Sequence, residues 1–230
     1  MHVRLLSVIF PLLLCTSMVF GQESAPNDST EKTSPWQLGG LVSVTGSWTG
    51  FWNWAQGGEN TTNITGIANG SARYKKGKHD WVSIADLAYG IARVGEEPWR
   101  KNEDRIDILS QYGFNLGGNF DLSARMNFRT QFANGYNLPN DSVIASKFLA
   151  PGYMVVSTGI TYRPLEWLTV LAHPAAGKIT FVNDQRLANN GSYGVEPAVI
   201  DTATGLVLKE GKRIRAEFGA LGSILIKQDW

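Results

Sequence analysis

The stretch LSARMNFRTQF, residues 122–132, divides by parity. Leu122, Ala124, Met126, Phe128, Thr130 and Phe132 fall on one side; Ser123, Arg125, Asn127, Arg129 and Gln131 fall on the other. A helix mixes these sets, because its neighbours are three and four apart. The spacing therefore predicts a strand with one apolar and one charged face. The division recurs in 104–116, where Ile106, Ile108, Tyr112, Phe114 and Leu116 oppose Arg105, Asp107, Gln111 and Asn115. In 212–226, Ile214, Ala216, Phe218, Ala220, Ile224 and Ile226 oppose Arg213, Arg215, Glu217 and Ser223. Residues 36–50 set Leu38, Val42, Val44 and Trp48 against Gln37, Ser43, Thr45 and Ser47. Segment 62–74 alternates less cleanly, and so does 81–91, where Asp86 shares its side with Val82 and Ile84. Met154, Val156, Ile160 and Tyr162 group together in 153–162, and 167–172 makes a shorter, noisier strand. Eight strands are predicted.

Two all-β architectures alternate in this way. A soluble sandwich turns its apolar face inward. A membrane barrel turns it toward lipid and lines its lumen with the polar face. Three features favour the second. Aromatic residues gather at strand ends: Trp36, Trp81 and Trp167, and the cluster Phe51, Trp52 and Trp54 in FWNWAQGGEN. Amphipathic rings collect at a lipid–water interface. Connections alternate short (75–80, 117–119, 163–166) with long (51–61, 92–103, 133–152, 173–211), as outer-membrane barrels do. The apolar faces also hold Gly40, Gly46, Gly66, Ala68, Gly70 and Ala72, which would leave voids in a soluble core. The expected fold is an all-β, antiparallel up-and-down transmembrane β-barrel of about eight strands. The alternative is a soluble periplasmic β-cup that binds a lipid-like ligand. Separately, the rings of FWNWAQGGEN are read as ending the first strand at the outer interface, with a carbohydrate platform as the other reading.

The start of the chain gives the compartment. Arg4 precedes an apolar run from Leu5 to Phe20, and residues 1–21 read as a signal peptide. Residues 22–35, polar and rich in Pro and Ser, read as a disordered leader. Residues 36–230 form the barrel domain, and the expected location is the outer membrane. Cys15 lies inside the apolar run, so no disulfide is expected beyond it. The charge is balanced, with 21 basic and 20 acidic residues and no basic stripe, which argues against nucleic acid.

Several phrases carry a resemblance: FWNWAQGGEN, ARYKKGKHDWVSIADLAYG, FRTQFANGYNLPNDSVIASKFLAPGYMVVSTGITYRP, GKITFVNDQRLANNGSYGVEP and KRIRAEFGA. Over about residues 36–226 the chain resembles an uncharacterised family of exported proteins of Bacteroidota, catalogued as a domain of unknown function. The resemblance implies an outer-membrane β-barrel and no assigned activity. Family members continue past the equivalent of Trp230 through further strands. The expectation is thus a truncated product of a larger barrel rather than a closed eight-stranded one.

Candidate chemistry is sparse. Of three histidines, His2 falls in the signal, His79 in a tight turn beside lysines, and His173 before Pro174 at the head of the long loop. No Ser–His–acid spacing accompanies them, so no catalytic residue and no enzyme activity are expected. The charges expected to face the lumen are Asp86, Arg105, Asp107, Arg125, Arg129, Arg213, Arg215 and Glu217. Their plain reading is mutual pairing that fills a narrow bore; their functional reading is an anion-selective lining. In the loop, KITFV and GLVLK are expected to pair as an external hairpin. VNDQ and VEPAVID match no calcium loop, and neither metal nor cofactor is expected. The expected partners are outer-membrane lipid and the barrel assembly machinery. The ligand is unknown, and the role is solute passage or surface interaction through the external loops.

Overall fold

The computed structural model describes residues 34–52, 57–137 and 142–227. The signal peptide, most of the leader and Trp54 lie outside these described residues. In chain order the elements are β1 (Trp36–Thr49), β2 (Thr61–Lys76), β3 (His79–Val94), β4 (Arg100–Gly117) and β5 (Phe120–Thr130). Then come the two short strands β6 (Gly135–Tyr136) and β7 (Ile144–Ser146), followed by β8 (Gly152–Leu165) and β9 (Leu168–Phe181). A five-residue helix α1 (Gln185–Asn189), a 3-10 turn at Ser192–Gly194, β10 (Val199–Ile200), β11 (Val207–Lys209) and β12 (Ile214–Ile226) complete the described fold.

One eight-stranded antiparallel sheet dominates, in the order β1-β2-β3-β4-β5-β8-β9-β12. The pairs β6–β7 and β10–β11 form small separate sheets within two of the connections. At one end of the main sheet the turns are tight. Gly77-Lys78 joins β2 to β3, with Gly77 at φ 58°, the left-handed conformation that a two-residue hairpin turn needs. The Arg73–Asp80 ion pair at 2.6 Å clamps that hairpin. All longer connections lie at the opposite end.

The two faces of the sheet are exposed in the reverse of the usual order. Leu38 is 79% exposed and Phe218 89%, and Val42, Val44, Trp48, Leu122 and Ile224 are exposed with them. The buried positions of the central strands include Ser123, Ser157, Thr161, His173 and Thr180, which belong to the polar face. Among the described residues, the long strands contact chiefly their neighbours in the sheet. Among the described residues, the buried apolar cluster lies in the long connections instead. Ala150, Val182, Leu187, Ala188 and Val195 pack there with Tyr193 against them. Among the described residues, no helix is long and apolar enough to cross a membrane.

The alternation predicted the strands closely, with one large departure. The strand expected over 167–172 runs on to Phe181, and the connection begins at 182 rather than 173. Pro174 does not end it. The register of β9 shifts beside this residue against both neighbours, from Thr158↔Ala175 to Ile160↔Ala172 and from Gly219↔Ala176 to Leu221↔His173. A bulge is where a strand tolerates a residue without an N–H. KITFV is consequently part of β9 and its continuation, and pairs with β8 and β12. The expected hairpin with GLVLK does not form; Val207–Lys209 pairs with Val199–Ile200. The connection expected over 92–103 also shrinks to 95–99, because β3 and β4 extend into it.

β1 and β12 are the sheet edges, each hydrogen-bonded to the sheet on one side. β1 runs away from the tight turns, with Trp36 opposite Tyr74, and β12 runs toward them, ending with Ile226 opposite Leu168. The two edges are antiparallel to each other and nearly equal in length.

Candidate functional site

The polar face holds the charged residues singled out from sequence. Asp86 and Asp107 stand directly opposite each other on β3 and β4, a like-charge pair that repels unless compensated. Each has its own arginine. Arg129 sends Nε and Nη2 to Asp107 Oδ2 at 2.9 and 2.7 Å, and Asn127 donates to the other oxygen at 2.6 Å. Asp86 accepts from Asn69 at 3.0 Å and from Arg105 at 3.4 Å, and Arg105 also approaches Glu103 at 3.7 Å. On β12, Arg215 bonds Glu217 at 2.8 Å, with Lys178 of β9 at 3.9 Å from the same carboxylate. Arg213 donates to the amide oxygen of Gln185 at 2.6 Å. Arg163 pairs with Asp121 near the tight-turn end. Arg125 has no hydrogen-bond or ion-pair partner among the described residues. A cavity of about 300 Å³, lined by Glu103, Asp104, Arg105, Arg129, Pro151 and Tyr153, opens at the long-connection end of the sheet. Pairs as exposed as these contribute little stability each, about 0–1 kcal/mol. Their effect is to cancel charge locally and hold side chains across strands.

Deeper on the same face is a cluster that sequence reading missed. His173 Nε2 is 2.7 Å from Ser123 Oγ, and His173 Nδ1 is 2.8 Å from Ser157 Oγ. Ser123 Oγ also meets Thr161 Oγ1 at 2.8 Å. Three adjacent strands, β5, β8 and β9, contribute to it. His173 is 1% exposed and Ser123 2%. Histidine 173 is therefore a buried member of β9 and not the head of an external loop. Gly159 sits against it, since a Cβ there would collide with the Ala172 carbonyl and the His173 ring. A serine within reach of an imidazole is the geometry of an activated nucleophile. Here the histidine has serines on both sides and, among the described residues, no carboxylate within hydrogen-bond reach. The cluster acts as a hydrogen-bonded brace between strands. Its signal in the sequence was that Ser123 and Ser157 lie on the polar parity of their strands.

The aromatic residues divide between the two ends. Trp36, Trp81 and Trp167 stand at the tight-turn end, with Trp36 5.0 Å from Tyr74 and 6.3 Å from Trp81, ring centre to centre. Phe120 stacks on Tyr162 at 4.4 Å in the same tier. Phe51 and Trp52 follow β1 at the opposite end, both exposed. Trp81 donates its indole N–H to Ser110 Oγ at 2.8 Å, and Ser110 pairs with Ser83 at 3.0 Å, so hydroxyls on the apolar face satisfy one another. His79 is the first residue of β3, and its Nδ1 is 2.6 Å from the Tyr112 hydroxyl. It is exposed and also a partner in this tier.

The long connections fold over one end as a cap. Lys147 and Asp184 pair at 2.7 Å, Tyr193 donates to the Ala145 carbonyl at 2.6 Å, and Arg186 to the Ile144 carbonyl at 2.6 Å. Asp184 also caps α1 by accepting from the Leu187 N–H at 3.0 Å. The Lys147 ammonium, aided by that N–H, holds the Asp184 carboxyl below the usual carboxylate range, against the opposing effect of burial. Among the described residues, no three His, Cys, Asp or Glu side chains gather as a metal site requires.

Residues 47–136, from the end of β1 through β6, match the family model described as protein of unknown function (DUF3078). The match covers less than half of the chain. No curated protein and no solved structure matches it.

Proposed function

We propose that this chain is a non-enzymatic β-barrel of a bacterial outer membrane, exported by its N-terminal signal. The apolar face meets lipid, the polar face lines a narrow lumen, and the cap stands at the external surface. One observation carries the reading: the central strands bury Ser123, Ser157, Thr161 and His173 while Trp81, Phe120 and Leu122 on their other face stay exposed. In water this arrangement forfeits the hydrophobic effect on nearly every strand. In a bilayer the same arrangement is the stable one, provided that every backbone group is paired. Pairing of the β1 and β12 edges, with each other or with further strands of a larger barrel, meets that condition. Aromatic tiers at both strand ends and tight turns at one end accord with the same reading. Its partners are then outer-membrane lipid and the assembly machinery that inserts barrels. The lumen is a route for small polar solutes, entered through the cavity beside Arg105 and Arg129.

Nitroxide labels at Phe128 and Arg129, neighbours on β5, test the orientation in reconstituted bilayers. Oxygen dissolved in the membrane should relax the label at 128 several-fold faster than the one at 129, because apolar oxygen concentrates among acyl chains. Equal relaxation, or release of the protein in osmotic-shock fluid, overturns the reading in favour of a soluble cup.

A further inference from the structure

One hydrogen-bonded row crosses the polar face through β4, β5 and β8. Gln111 is directly opposite Arg125, and Arg125 is directly opposite Ser157. Residues so placed have Cβ atoms about 4.5–5.5 Å apart, close enough for one small ligand to touch all three side chains. Arg73, Arg105, Arg129, Arg163 and Arg215 each have a carboxylate, and Arg213 has an amide oxygen. Arg125 has neither, and among the described residues the side chain of Gln111 makes no hydrogen bond either. Both side chains are half-buried, so neither is simply a surface group in bulk water. The fold thus sets a guanidinium and a primary amide side by side and supplies no acceptor for them.

We propose that Gln111, Arg125 and Ser157 bind a small oxyanion, a carboxylate or a phosphate, on the inner wall. The proposal rests on the reading of the polar face as a lumen wall and names anions as the class of solute it admits. A guanidinium presents paired N–H donors that match two oxygens of such an anion, and the Gln111 amide adds another donor. Ser157 links the site to the buried cluster. Its hydroxyl has one proton, and His173 Nδ1 is 2.8 Å away. If Nδ1 carries the ring proton it donates to Ser157, whose own O–H is then free for the anion. His173 Nε2 in turn accepts from Ser123, and Ser123 accepts from Thr161. An oxyanion beside Arg125 therefore selects the Nδ1–H tautomer of His173. The empty site has no such preference.

The test uses the full chain refolded in detergent micelles, labelled with ¹⁵N and titrated with inorganic phosphate at constant ionic strength. Heat-modifiable gel mobility is recorded first for every variant. The expected result is a saturable shift of the Arg125 Nε–Hε resonance, with the His173 nitrogen shifts moving to those of the Nδ1–H tautomer. Arg125→Gln should abolish both effects. Gln111→Leu should weaken binding about tenfold, the worth of one hydrogen bond to a charged group. Arg125→Lys keeps the charge without the fork, so it should bind weakly even if the glutamine variant fails to fold. Arg73→Gln, whose guanidinium is committed to Asp80, should leave binding unchanged. With heat-modifiable mobility intact, a shift that does not saturate, or one that persists in Arg125→Gln, overturns the site and leaves the barrel standing. Absence of heat-modifiable mobility in the natural sequence overturns the lumen reading and the site together.

Discussion

Position 159 shows how tightly the polar face is built. Gly159 lies between Ser157 and Thr161 along β8, and the His173 ring rests where its side chain would be. Gly159→Ala should push His173 off Ser123 and Ser157 and cost about 1–3 kcal/mol, the usual penalty of overpacking a filled site. Urea unfolding of the refolded protein, followed by tryptophan fluorescence, measures it. A change below about 0.5 kcal/mol, the scale of an ordinary surface substitution, would show that the imidazole is not wedged there. The cluster depends on this fit, because a buried hydroxyl or ring nitrogen deprived of its partner costs about 1–3 kcal/mol. Arg125, on the neighbouring strand β5, is the contrasting case, a cation that the fold leaves for something else to satisfy.

Among the elements, the cap is the one whose stability should respond to acid. Asp184 has its carboxyl lowered by Lys147 and by the α1 N-terminal N–H, so the folded cap prefers the charged form. A group with a depressed folded pKa stabilises above its ordinary value, about 3.9 for aspartate, and loses that contribution as pH falls through the lower folded value. The cap should therefore become more susceptible to acid-stable protease below about pH 4. Asp184→Asn should be cleaved readily at neutral pH as well, and should lose the Asp184 share of the pH dependence, leaving that of Glu196 and Asp201, whose carboxyls are also lowered by their hydrogen bonds. Cleavage between 182 and 213, mapped by mass spectrometry, reports it. Unchanged resistance in the variant would mean that the apolar cluster around Val182 and Leu187 holds the cap unaided. The strands should be indifferent to this change, since β9 and β12 are paired along their lengths below it.

For the whole molecule, the deciding quantity is which solvent each face meets. Met126 projects from the apolar face of the central strand β5 and is 38% exposed. In water, an arginine at such a position is an ordinary surface change. At the middle of a bilayer it costs about 2–4 kcal/mol. Met126→Arg should destabilise the protein by that amount in lipid vesicles. The neighbouring Asn127→Ser, on the polar face, should lose its bonds to Asp107 and to the Ile108 carbonyl, about 0.5–1.5 kcal/mol each. Reversible unfolding in vesicles compares the two, and a silent Met126→Arg would place the apolar face in water.

The amino-acid sequence by itself determined where the strands lie and which side of each is greasy. Both follow from a period of two, a local property that residues such as Leu122 to Phe132 display without reference to any partner. It also located the charged residues and the aromatic ends, because these track the same parity. Tertiary structure alone decided which polar side chains meet. Ser123 and His173 are 50 residues apart, and nothing local brings them within 2.7 Å. Their meeting depends on the register of β5, β8 and β9, and that register depends on a bulge beside Pro174 that alternation reads as a strand end. The docking of 142–151 against 182–213 was equally hidden, since its contacts run between loops with no periodicity. The fate of Arg125 belongs to this class as well. The same parity put every inner arginine on one face, and only the placement of neighbouring acceptors, set by strand pairing, gave Arg213 an amide oxygen instead of a carboxylate and Arg125 neither.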